Sequence, residues 1–221
     1  MLNTLKMLFS QHSNKKNKQP DIPQTPTALG LHLGGSFTID SMFLKVTEPN
    51  LIIDGASPSQ IIQAVGEVKI DNQNRILRFY TDDDGFLQIL QYGTDDSGII
   101  EIGLWYIYDT KGISDSKWDN CLKSDVVTSD GRYELEGFCF EKVWQDTAPV
   151  PAIEKTYHLN GDITETTQFM MSYARQLPND DGAELLLISA EEKVNSQFNT
   201  VEHELVRSTG INIDRIVFTT N

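Results

Sequence analysis

From residue 28 onward the chain is a procession of short apolar or alternating runs separated by turn residues, the pattern of a mainly β protein. SFTID (36–40), FLKV (43–46) and LIID (51–54) are short strand-like runs, the last meeting an Asp54–Gly55 turn signal. IIQAVGEVKI (61–70) reads as a strand interrupted at Gly66, or as a strand after a short turn. RILRFYT (75–81) and FLQILQY (86–92) flank the acidic stretch TDDDG. GIIEIGLWYIY (98–108) is the most apolar run: Leu104, Tyr106 and Tyr108 share one face, Trp105 and Ile107 the other. Both faces are apolar, which predicts a central strand covered on both sides.

Residues 109–130 are polar and irregular, with a short helix predicted around Ser116–Leu122. RYEL and FCFEKVW are joined by Glu136–Gly137, a two-residue hairpin turn. The proline-rich connection DTAPVPA (146–152) is too short to require two domains. IEKTYHL then meets Asn160–Gly161, the strongest hairpin signal in the chain. The following run, ITETTQFMMSYARQL, fits both periods, and the turn and threonines tip it to strand. AELLLISA (183–190) reads as a buried strand, while FNTVEHELVRSTG (198–210) stays open between strand and helix, with Gly210 available as a helix stop. No internal repeat is present. The expectation is a mainly β fold, with α+β as the neighbouring class: an antiparallel sandwich or strongly curved sheet with one or two short helices. It fills a single domain, 28–221, preceded by a basic N-terminal arm and Pro-rich linker, 1–27.

Charge sharpens this division. The 221 residues carry a formal charge of −14. Lys6, Lys15, Lys16 and Lys18 are the only charges in the first twenty residues, so the rest sets 14 basic against 32 acidic groups. An acidic body repels phosphate backbones, which excludes nucleic acid as its partner. Two cysteines do not make a disulfide scaffold, and Cys139, in an apolar run, is expected to be a buried small hydrophobe. Leu2, Leu5, Leu8 and Phe9 recur at helical spacing with Lys15, Lys16 and Lys18 behind them. Lysines that follow the apolar residues, and no small-residue cleavage site, do not fit a secretory signal. They predict a cytoplasmic chain whose first twenty residues touch an anionic membrane or a partner.

TDDDGF raises the question of metal chemistry. With Gly85 as the central glycine of a calcium loop, Tyr80 and Gln91 fall at the first and last ligand positions, and neither is acidic. The stretch therefore reads as a hairpin loop, acidic because aspartate and glycine suit turns, with Arg75 and Arg78 as neighbours to relieve the charge. The histidines form no ligand pair; in VEHELV, Glu202, His203 and Glu204 point alternately to opposite faces of a strand, and His203 is expected at the surface. Gly34–Gly35 belongs to no phosphate-binding motif. No metal, cofactor or catalytic residue is indicated.

The runs ALGLHLGGSFTID, IIQAVGEV, RFYTDDDGFLQI, LWYIYDTK, FEKVW, YARQLP and LLLISAEE, in this order over residues 28–220, resemble the YjfK-like family of uncharacterised bacterial proteins, a domain-of-unknown-function family. The resemblance implies no catalytic or binding residue. It implies a cytoplasmic protein encoded beside membrane-remodelling and small inner-membrane proteins. The first functional expectation is therefore a non-enzymatic interaction protein, acting at the inner membrane or in envelope maintenance, that binds a basic or membrane-associated protein. The alternative is a small-molecule-binding protein or enzyme using Asp82, Asp83 and Asp84 with Arg78, Tyr80 and Arg175 around a pocket.

Overall fold

The computed structural model describes residues 24–178, 182–195 and 200–221. The N-terminal contact residues expected above, Leu2 to Lys18, lie outside them. Twelve strands form one antiparallel sheet: β1 (Ser36–Ile39), β2 (Ser59–Lys69), β3 (Asn74–Thr81), β4 (Gly85–Tyr92), β5 (Ile99–Ile113), β6 (Arg132–Leu135), β7 (Phe138–Lys142), β8 (Val150–His158), β9 (Ile163–Gln176), β10 (Ala183–Asn195), β11 (Thr200–Asn212) and β12 (Phe218–Thr220). The order runs β2-β3-β4-β5-β11-β10-β9, and β8 pairs with both β9 and β2. The sheet thus closes on itself as an eight-stranded barrel. The fold is mainly β, as expected; its curvature goes all the way to closure.

The hairpins follow from local chemistry. Glu136 (φ 51°) and Gly137 (φ 77°) both take the left-handed region, the mirror-type turn that matches strand twist, and link β6 to β7. At Asn160–Gly161 the turn is longer: the Gly161 amide donates to the His158 carbonyl and Gly161 takes φ 88° before β9 begins. The ambiguous run 163–177 is strand through Gln176, and 200–212 is strand as well, because β10 and β5 pair with it on either side. Gly210 stops no helix. It makes room for the Trp105 ring, whose Cδ2 would lie 2.5 Å from an added Cβ. β5 is the predicted central strand, but it continues through Asp109–Ile113, which the sequence had placed in the irregular region.

Among the described residues two short α-helices flank the barrel. FLKV is not a strand: it lies in α1 (Ser41–Thr47), because Asp40 accepts the Met42 and Phe43 amides at 2.6 and 3.1 Å and caps the helix. LIID is irregular, pinned by the Ile52 amide donating to Glu184 Oε1 at 2.8 Å. The helix predicted near 116–122 is α2 (Asp115–Asn120), continued by a π-helical turn, Cys121–Asp125.

Alternation decides what each barrel face holds. One parity of β3, β4 and β5 (Leu77, Phe79, Leu87, Ile89, Leu104, Tyr106) faces outward into a core closed by α1, β1, β12 and residues 28–31. On the other flank, Met171, Tyr173, Leu186, Ile188 and Leu205 pack outward beneath Cys121, Val126, Leu135 and Phe140. The two large apolar cores therefore lie outside the barrel wall, and the opposite parity points inward. Cys139 is exposed, contrary to expectation, since its neighbour Phe140 takes the buried side of β7; Cys121 is the buried thiol, pushed up to about 11 by burial and by Asp125.

Candidate functional site

The inward faces of all eight barrel strands border a cavity of about 1020 Å³. Phe86 and Leu187 form its apolar end, backed by Trp105 and Met170; Phe86 and Trp105 stack nearly parallel with ring centres 6.1 Å apart. Beyond that plug the lining is mixed: Ala64, Ile107, Ile153, Ile163, Val194 and Val206 alternate with polar side chains. Seven threonine and serine side chains border the cavity, together with a ladder of charged and amide groups.

The ladder begins at Arg78. On β3 the residues at 77 and 79 face the outer core, so Arg78 and Tyr80 are turned inward. Arg78 Nη1 lies 2.5 Å from Glu154 Oε2 and donates to Gln168 Oε1 at 2.9 Å, while Nε donates to Gln88 Oε1 at 2.9 Å. Tyr80 donates its phenol to Glu154 Oε1 at 2.7 Å. Gln168 Nε2 donates to Glu154 Oε2 at 3.0 Å and to Glu191 Oε1 at 3.2 Å. Glu191 Oε2 lies 3.6 Å from Lys193 Nζ, which donates to Glu204 Oε2 at 2.7 Å.

Gly66 makes this geometry possible. It sits directly opposite Arg78 in the β2–β3 register, and an added Cβ there would meet Glu154 Oε1 at 1.8 Å. The carboxylate from β8 lies across the bare backbone of β2 to reach the guanidinium on β3. The side chains of Arg78 and Glu154 are only 5% and 2% exposed. Burial, followed by the Glu154 charge, pushes the Tyr80 phenol well above its ordinary value, so it acts as a neutral donor. Burial also raises the Glu191 carboxyl, against the pull of Lys193.

The residues singled out from sequence divide into three places. Arg78 and Tyr80 border the cavity. Asp82, Asp83 and Asp84 form the β3–β4 turn and serve the backbone. Asp82 Oδ1 accepts the Ile61 amide at 2.8 Å, and Asp83 Oδ2 accepts the Ser57 amide at 2.7 Å and Gln60 Nε2 at 3.3 Å. Asp84 takes φ 51° and is exposed. The arginines expected to relieve them point elsewhere, Arg75 to Glu67 at 3.0 Å and Arg78 to Glu154. Arg175 is on the outer face, clamped to Glu184, donating to the Asn50 carbonyl at 2.7 Å and lying 3.9 Å from the Phe138 ring centre. His203 is not a surface residue. Its side chain is 9% exposed, stacked on Trp118 at 4.2 Å, between Asp115 and Glu192. Glu204, next to it, faces the cavity, as alternation requires.

Glu154, Gln168, Ser189 and Glu191 help carry the cavity and were not singled out from sequence, and Glu204 was weighed there only as a metal ligand beside His203. The available signal was in LISAEEKV, where polar 189 and 191 alternate with apolar Ile188 and Ala190; ITETTQF is polar throughout 164–168 and gives no alternation. In a β protein that rhythm marks a polar inner face.

No helix among the described residues is long and apolar enough to cross a membrane. No solved structure matches the chain. The Escherichia coli (strain K12) uncharacterized protein YjfK is 31% identical over 216 residues, covering 93% of this chain and 94% of the relative. The sequence profile of a family described as protein of unknown function (DUF2491) matches residues 8–218. The chain belongs to this family.

Proposed function

We propose that this protein is a non-enzymatic binding protein that holds a small polar molecule inside its barrel. The observation that carries the reading is the cavity of about 1020 Å³, bordered by inward side chains of every barrel strand and furnished with a buried, mutually bonded polar wall. Eight strands leave an interior that side chains can fill, or that can hold one small ligand. Here the apolar plug fills one end and the rest is hollow. Arg78, Glu154, Tyr80 and Gln168 satisfy one another, which suits a rigid recognition surface better than a reaction centre. This keeps the small-molecule alternative drawn from the sequence but moves its site from the Asp82–Asp84 turn into the lumen. The cytoplasmic inner-membrane setting that the resemblance implies, with residues 1–20 as the recruiting arm, is compatible with such a carrier or sensor.

The test is protein-observed NMR of the full chain against a panel of small polar fragments. Binding is expected to shift amides at Thr166, Ser189 and Ser208, and the lumen-filling variant Ser208→Phe is expected to abolish those shifts while remaining folded. Fragments that bind only outside the barrel, or bind the filled variant equally well, would refute the reading.

A further inference from the structure

Resting on the lumen-binding reading, we infer that the cavity selects a cationic ligand, seating an ammonium group between Glu191 and Glu204 beside the Ser189 hydroxyl. Glu191 and Glu204 are direct cross-strand partners on β10 and β11, both turned into the cavity. Like charges directly opposite one another in a sheet repel. The cation that reaches both is the Lys193 ammonium, which hydrogen-bonds Glu204 at 2.7 Å but stands 3.6 Å from Glu191. The Lys193 side chain is 44% exposed, against 12% for Glu191, so the neutralising charge is supplied from the wet side of a carboxylate that is itself nearly covered. Glu191 Oε2 is left without a close donor.

A second observation points to the same spot. Ser189, two residues away on the same inward face and 4% exposed, borders the cavity with its hydroxyl in no hydrogen bond of ordinary geometry. It lies near enough to the Glu191 carboxyl to help hold its pKa down, without closing a bond to it. A hydroxyl and an under-neutralised carboxylate, both facing the cavity, form the acceptor set that an ammonium group satisfies. The wider balance agrees: the charged residues bordering the cavity comprise five carboxylates and three cationic side chains. Phosphates and carboxylates are disfavoured there, because Arg78, the deepest cation, is already held by Glu154, Gln168 and Gln88.

The experiment compares three probes of one shape, n-butylammonium, 1-butanol and butyrate, by NMR titration of the full chain. The ammonium is expected to bind best, shifting the amides of Ser189, Glu191 and Glu204, with butanol weaker and butyrate absent. Glu191→Gln is expected to weaken the ammonium roughly tenfold or more and leave butanol unchanged. Lys193→Met, which empties the seat of the protein's own ammonium, is expected to tighten it. Equal lumen binding of ammonium and butanol, indifferent to Glu191→Gln, overturns the cation inference and leaves the lumen reading standing. No shift at any lumen residue overturns both. Ammonium binding confined to the acidic exterior, or unchanged by Lys193→Met, also overturns the inference.

Discussion

Removing the Glu154 carboxylate tests whether the polar wall is as buried and as interdependent as its geometry implies. Glu154 accepts from Arg78 Nη1 and Gln168 Nε2 at one oxygen and from Tyr80 at the other, and its side chain is 2% exposed. Glu154→Ala strands a guanidinium whose side chain is 5% exposed, leaving it only amide acceptors and the Met170 sulfur. Breaking a buried pair from one side costs about 3–5 kcal/mol, because the remaining charge keeps its desolvation penalty. For a chain of this size each kcal/mol lowers Tm by about 2–4 °C, so the expected fall is roughly 6–20 °C. Calorimetry and urea unfolding, followed by tryptophan fluorescence, measure it. The decisive variant is Arg78→Met with Glu154→Met, which removes both charges and keeps volume. Its cost is expected to fall short of the sum of Arg78→Met and Glu154→Met made singly by about 1–3 kcal/mol. Costs that add to within about 0.5 kcal/mol would show that the two groups do not share a buried environment, and the account of the wall would be wrong.

Gly66→Ala places a Cβ 1.8 Å from Glu154 Oε1. The carboxylate can move only by giving up Tyr80, so a loss of about 1–3 kcal/mol is expected, with weaker lumen binding, checked by the same melts and titrations. In the β3–β4 turn, Asp83→Ala orphans the Ser57 amide, while Gln60 Nε2 keeps the Ser57 carbonyl and the Tyr106 hydroxyl, and is expected to cost about 1–3 kcal/mol. Asp84→Gly relieves a left-handed residue and is expected to stabilise by up to about 1 kcal/mol, and neither change alters fragment binding in the lumen. Burial raises the Glu191 carboxyl above its ordinary 4.5, so the folded state holds that proton more tightly than the unfolded chain. Its destabilising effect is absent below the ordinary glutamate range, grows as pH rises from the ordinary value to the raised one, and is full above that. Glu191→Gln is accordingly expected to match the parent in acid and exceed its stability at neutral pH. Glu184, also raised by burial, leaves a residual slope in both, and urea midpoints across the pH range check the difference.

What was legible in the sequence was local. Glu136–Gly137 and Asn160–Gly161 announce hairpins because only certain residues take φ above zero, and that constraint acts within two positions. FLKV misled because its helix depends on the Asp40 cap and buries only Leu44, so its apolar pattern resembles an exposed strand. Barrel closure was not legible: β2 meets β8 by pairs such as Val65–Tyr157, and nothing in either strand names its partner. The candidate site was hidden for the same reason. Arg78 was noticed because it neighbours a conspicuous acidic run, whereas its true partner lies 76 positions away in an unremarkable stretch, IEKTYH.

The apolar end of the lumen shows that the polar end is a choice. Phe86, Trp105, Met170 and Leu187 fill one part of the interior with close-packed side chains, so this backbone can accommodate an apolar filling. Extending that plug across Arg78, Glu154 and Glu191 would on general grounds be neutral or stabilising, since buried ion pairs often lose to hydrophobic replacements. The chain instead holds carboxylates against burial and leaves the space between them hollow. Stability does not account for that arrangement; the proposed recognition of a ligand would. Replacing Glu191 and Glu204 together with Gln separates the two demands. The expected result is a barrel at least as stable at neutral pH that no longer distinguishes n-butylammonium from butanol; a barrel that unfolds would show that the acidic pair serves the fold after all.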